Sequence, residues 1–242
     1  MNKNHKKYKS AKDVLLLNKA DLCESLEKDL FLKDLKNFIG FSKKIVDFSS
    51  KFGEHSIYFS YGTNNQVIHI NNDNEKLKLL KNYCYHNQIS NIECKSARSM
   101  KDLLESNSID FIYCKNVLEN SKNPSEQMKT MVSWGKKNSY IVICVRHSFR
   151  IFFSNLKILL FNIFIKKNKQ LFNSFSIKKM SNLMDINNID LLGTIPDSNF
   201  DGFYIGLDAM KVYKTTYCRR LFAQIRSLAF EEQNFYFFGK FK

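Results

Sequence analysis

The sequence predicts an α/β protein built on a doubly wound, mostly parallel sheet, and three observations carry that prediction. From Lys44 onward, short apolar runs alternate with stretches of helical period. The runs are continuous rather than alternating, as strands buried on both faces require. A length of 242 residues, with 44% hydrophobic and 25% charged content, suits one extended core rather than two full domains.

The elements follow in order. Residues 10–41 read as one or two helices, with Val14, Leu15, Leu17, Leu22, Leu26, Leu30 and Leu35 at roughly helical intervals. The strands are then KIVDF, VIHIN, NIEC, DFIYC and YIVICV, and the helices NEKLKLLKNYCYHN and NPSEQMKTMVSWGKK lie between them. Past Val145 the alternation lapses. The stretch Phe149 to Ile165 is amphipathic, with Phe152, Phe153, Leu156, Leu159, Leu160, Ile163 and Phe164 on one broad face, and it is interrupted too often by polar residues to span a membrane. It reads as a cap packed on the sheet, with a lid over an apolar substrate and a peripheral membrane-surface helix as the alternatives. A short helix, a strand at Ile189 to Thr194, a possible helix within 203–230 and an aromatic strand, NFYFFGKF, complete the chain. The division is an N-terminal helical extension, 1–41, and a second unit, 42–242, with a helical cap or lid at about 147–187.

The six cysteines show no C-x-x-C pair and no histidine at ligand spacing, so neither a metal site nor a disulfide framework is indicated. With a basic, polar opening and no apolar signal segment, the expectation is a cytoplasmic protein in a reducing compartment. The net charge of +15 favours anionic encounters. It is spread along the chain, however, and no element interleaves aromatics with arginine, which argues against nucleic acid as the principal partner.

The segment Ile109 to Val145 resembles the fourth strand, following loop, helix and fifth strand of the class I S-adenosylmethionine-dependent methyltransferases, and the resemblance covers about residues 40–195. It implies a Rossmann-like methyltransferase fold with an antiparallel last strand, S-adenosylmethionine as cofactor and a small-molecule acceptor. The family's first strand ends in an acidic residue followed by a glycine-rich turn, which here reads Asp47, Phe48, Ser49, Ser50, Lys51, Phe52, Gly53. Such glycines permit positive φ and let backbone approach the cofactor. Lys51 places a cation at the middle glycine position, beside where a sulfonium would lie, and is expected to weaken or alter binding unless it turns outward or reaches the cofactor's carboxylate.

The resemblance also places Asn71, with Asp73 two residues on, where an acid normally meets the ribose hydroxyls. Ser96 and Ala97 fall at the adenine contact, and Lys115 at the end of the fourth strand joins the cofactor-binding set. Of the histidines, His147 and His55 are the candidates for a proton acceptor, each weighed against a plain packing or surface role. The apolar, basic-flanked segment after the fifth strand suggests an apolar or amphipathic acceptor. Loss of the glycines and acids leaves one alternative function, a catalytically inactive methyltransferase-like binding or scaffold protein, a possible pseudoenzyme.

Overall fold

The structure is a computed structural model that describes residues 17–49, 51–97, 103–146, 148–165, 171–196 and 234–242. His147 and the possible helix within 203–230 lie outside the described residues.

Among the described residues seven strands form one sheet in the order β3-β2-β1-β4-β5-β7-β6. They are β1 Lys44–Ser49, β2 Gln66–Asn71, β3 Ile92–Ser96, β4 Ile109–Lys115, β5 Gly135–Arg146, β6 Ile189–Pro196 and β7 Asn234–Phe241. β1 to β5 pair in parallel, and the last strand, β7, inserts antiparallel between β5 and β6. Among the described residues the helices are α1 Lys19–Glu27, α2 Leu30–Ile39, α3 Glu54–Ser60, α4 Asn74–His86, α5 Pro124–Trp134, α6 Ser148–Ile165 and α7 Ile177–Ile186, with a 3₁₀ turn at Leu118–Asn120.

Local chemistry sets the helix starts. Asn18, Asp29, Asp73, Asn123 and Ser176 each accept a hydrogen bond from a backbone N–H of the first turn, and Pro124 stands at the first helical position of α5. The helix expected over NPSEQMKTMVSWGKK stops at Trp134, because Gly135 already pairs with Ile109 and opens β5. A Cβ on Gly135 would lie 2.5 Å from the Phe241 ring, so the close approach of β7's end needs this glycine.

The two faces of the sheet are packed separately. Ile45, Val67, Phe111, Tyr113, Val142, Cys144, Tyr236 and Phe238 pack with α1 to α4 through Leu22, Leu35, Ile57, Phe59 and Leu80. On the other face Val46, Phe48, Ile68, Ile70, Ile112, Ile143 and Phe237 pack with Met128, Met131 and Trp134 of α5 and Met180 and Met184 of α7. The stretch read as amphipathic after β5 forms α6, yet Phe152, Leu156 and Leu159 remain 59%, 41% and 45% exposed while Ile151 is buried. Those three side chains are therefore not part of the sheet's core. No helix among the described residues is long and apolar enough to cross a membrane.

Candidate functional site

Residues two apart on a strand share a face, and the register lines them up across the sheet. Asn71 pairs with Ser96, Ser49 with Lys115, Lys115 with Cys144, and Cys144 with Tyr236. Phe48 pairs with Ile70, one residue before Ser49 and Asn71, so the edge reads Ser96, Asn71, Ser49, Lys115, Cys144, Tyr236 along one face. This row lies at the carboxyl ends of the parallel strands, where open α/β sheets bind ligands. The row beneath it is Cys94, His69, Asp47, Tyr113, Val142 and Phe238.

Over β1 and β2 the polar groups are tied to each other. Asp47 is fully buried and accepts from Ser56 Oγ at 2.5 Å, with His69 Nδ1 at 3.2 Å; Ser56 Oγ and His69 Nδ1 are 3.0 Å apart. A carboxylate can only accept, so it selects the Nδ1–H tautomer of His69. Burial works to raise the Asp47 carboxyl, but the hydrogen bond and charge of His69, with His55 and Ser56, outweigh it and hold it below the usual range. Asp47 is thus an anchor beneath the turn between β1 and α3.

The turn itself is closed from β2. Asn71 Nδ2 donates to the Lys51 carbonyl at 2.6 Å, and Asn71 Oδ1 accepts from Asp73 N at 2.9 Å. The Lys51 side chain is half exposed and pairs with Glu54 at 3.2 Å, so its ammonium turns to solvent rather than over the strand ends. Asp73 caps α4 by accepting from Glu75 N and Lys76 N. Gly53, at φ +111°, begins α3, and a Cβ there would lie 2.5 Å from Leu80 Cδ2. The glycine retained from the turn therefore permits α3 to approach α4. Ser49 Oγ and Ser96 Oγ are buried without a hydrogen-bond partner among the described residues, and the Ala97 N–H is spent on the Asn71 carbonyl.

His55 opens α3 and is buried, its ring edge-on to Tyr113 at 5.4 Å. Burial and the nearby Lys115 charge push its imidazole down to about 3, so it is neutral at physiological pH. Its Nδ1 has no hydrogen-bond partner among the described residues.

Toward β4, β5 and β7 the row becomes cationic. Lys115, only 9% exposed, reaches Tyr236 OH at 3.2 Å and lies over that ring at 5.6 Å, while Phe31 of α2 covers Tyr236 with ring centroids 4.0 Å apart. Beyond it Glu119 is fully buried and accepts from Arg146 N at 2.7 Å, with Arg146 Nε at 3.6 Å. Burial raises the Glu119 carboxyl in spite of the Arg146 hydrogen bonds and charge. Asn173 donates to the Glu119 and Ser121 carbonyls at 2.8 and 2.6 Å, and Asn155 of α6 exchanges two hydrogen bonds with the Phe172 backbone. These bonds fasten α6 to the loop after β4.

The arrangement can accommodate an adenosyl sulfonium cofactor. A carbonyl oxygen has two lone pairs, so Asn71 Oδ1 retains one beyond Asp73 N, and the partnerless Ser49 and Ser96 hydroxyls stand at the ends of β1 and β3. Sequence reasoning placed Ser49, Asn71, Ser96 and Lys115 on one rim. It did not see that Asn71 clamps the turn or that Asp47 faces His69 and Ser56, and it missed Tyr236 and Glu119 as partners of the rim. The signal for Tyr236 is the register across three strands.

Residues 46–143 match the family model described as a methyltransferase domain. No curated protein matches the chain by sequence. Among solved structures, a geranyl diphosphate methyltransferase in complex with SAM is 9% identical at TM-score 0.61, with 92% of this chain and 89% of that one covered. Phosphoethanolamine N-methyltransferase 2 of Haemonchus contortus, in complex with S-adenosyl-L-methionine, is 12% identical at TM-score 0.60, covering 88% of this chain and 52% of that one. A SAM-dependent methyltransferase from Aquifex aeolicus is 13% identical at TM-score 0.55, with 93% and 100% covered. At these identities the likeness is one of fold, and the fold is the one the sequence resemblance implied.

Proposed function

We propose that this chain, whose residues 46–143 match the model of a methyltransferase domain, transfers a methyl group from S-adenosylmethionine to a small acceptor with an apolar or amphipathic body. The observation that carries the reading is the single polar row at the carboxyl edge, in which Ser49, Asn71 and Ser96 end β1, β2 and β3 in the order that a nucleoside laid across those strands would meet them. Asn71 and Ser49 would hold the ribose side, and Ser96 the base. When bound, the cofactor supplies an electrophilic methyl group, and the protein's part in an in-line displacement is alignment and exclusion of water.

His55 holds almost no proton-accepting capacity at neutral pH, because its imidazole is pushed to about 3 and the driving force for proton transfer to it is correspondingly small. The acceptor must therefore arrive nucleophilic or release its proton elsewhere. The attachment of α6 to the loop after β4, through Asn155, Phe172 and Asn173, supports a cap at the acceptor end of the row. Calorimetric titration with S-adenosylmethionine and S-adenosylhomocysteine tests the reading. Saturable binding of both is expected, and binding of neither would leave the inactive methyltransferase-like protein as the better account.

A further inference from the structure

We propose that Lys115, backed by Tyr236, is a carboxylate-binding subsite. Lys115 is nine-tenths buried, and its partner among the described residues is a neutral phenol. An ammonium has three donors and a full charge, and burying one without a counter-charge is costly. The carboxylates of the same edge do not supply that charge: Asp47 is engaged with His69 and Ser56, Glu54 with Lys51, and Glu119 with Arg146. The cation is kept where nothing described in the chain neutralises it, which is what a site for an anionic ligand requires.

The surroundings define the anion. Ser49, paired with Lys115 in the register, offers a buried hydroxyl without a partner, and His55 opposite is neutral. One cation with neutral hydroxyls suits a singly charged group rather than a phosphate dianion. The Tyr236, Phe31 and Tyr113 rings on the same face suit an apolar body attached to it. A carboxylate has two sources here, the amino-acid moiety of the cofactor or the acceptor itself, and the assignment to either rests on the methyltransferase reading.

The test compares wild type with Lys115→Met and Lys115→Arg, with Lys115→Gln in reserve should the methionine variant fail to fold. Five quantities are measured: the melting temperature without ligand, and the dissociation constants of S-adenosylhomocysteine, of 5′-methylthioadenosine, which lacks the amino-acid carboxylate, of phenylacetate and of neutral phenylethanol. Lys115→Met is expected to melt at or above wild type, since an unpaired buried charge has gone, and to lose at least tenfold in affinity for one carboxylate, with Lys115→Arg keeping part of it. Weakening of S-adenosylhomocysteine with methylthioadenosine unchanged assigns the carboxylate to the cofactor. Weakening of phenylacetate with S-adenosylhomocysteine unchanged assigns it to the acceptor. A lowered melting temperature with every affinity unchanged, or a wild type that binds no carboxylate, overturns the subsite. If wild type binds neither nucleoside yet phenylacetate binding still depends on Lys115, the methyltransferase reading falls and the subsite stands.

Discussion

The two halves of the polar row differ in how they are satisfied. Over β1 and β2 the charged and amide side chains are tied to partners within the protein: Asp47 with Ser56 and His69, Asn71 with Lys51 and Asp73, Lys51 with Glu54. Over β4 and β7 a buried ammonium rests against a phenol. The first half thus holds the turn after β1 in shape without a run of glycines, and the second keeps a charge that no described residue compensates. The difference teaches that loss of a glycine-rich pattern is not loss of the turn, because a side-chain amide from the next strand does the holding. It also separates residues whose removal lowers stability from one whose removal should not.

The largest effect that would sharpen this contrast is at Asp47. Asp47→Ala strands buried His69 and Ser56 and is expected to cost about 3–5 kcal/mol, since each hydrogen bond to a charged group contributes about 1.5–3 kcal/mol, read by urea denaturation. Since the folded-state carboxyl is held low, its contribution is present above the unfolded value and is lost as pH falls through the folded one. The gap between wild type and Asp47→Ala should therefore narrow on acidification below about pH 4. A constant gap would mean that Asp47 acts through packing alone.

Gly53→Ala comes next. Positive φ and the Leu80 contact act together, and a cost of about 2 kcal/mol is expected from backbone strain and overpacking. A smaller loss would show that α3 can shift on α4.

Asn71→Asp tests the clamp. A carboxylate cannot donate to the Lys51 carbonyl, so about 1 kcal/mol of stability should go, while a charged acceptor for ribose hydroxyls should tighten S-adenosylhomocysteine about three- to tenfold. If stability falls and affinity falls with it, the closed turn is itself the binding surface and the contrast between the halves breaks down.

The smallest effect is at Lys51. Sequence reasoning left its cation facing the sulfonium, turned outward or on the cofactor's carboxylate, and the side chain is half exposed and paired with Glu54. Such surface pairs are worth about 0–1 kcal/mol, so Lys51→Gly should change cofactor affinity by less than about threefold. A tenfold gain would return the lysine to the cofactor's side of the turn.

The alternation of apolar runs with helical stretches determined the sheet and its parallel character, because buried strands and amphipathic helices leave periodicities within a few residues of sequence, while the family resemblance put Ser49, Asn71, Ser96 and Lys115 together. The departures at Ser49, Lys51 and Asn71 from a glycine-rich, acid-bearing pattern were legible only against that resemblance. The tertiary structure alone decided what those residues do. Asp47 meets His69 through the register of two parallel strands, which no connecting turn dictates, and Lys115 meets Tyr236 across 121 residues because β7 enters the sheet between β5 and β6. Whether Lys51 turns inward or outward depends on Glu54 and on the Asn71 amide that grips its carbonyl. Strand order, register and side-chain direction are settled by packing of the whole chain, and local sequence carries no record of them.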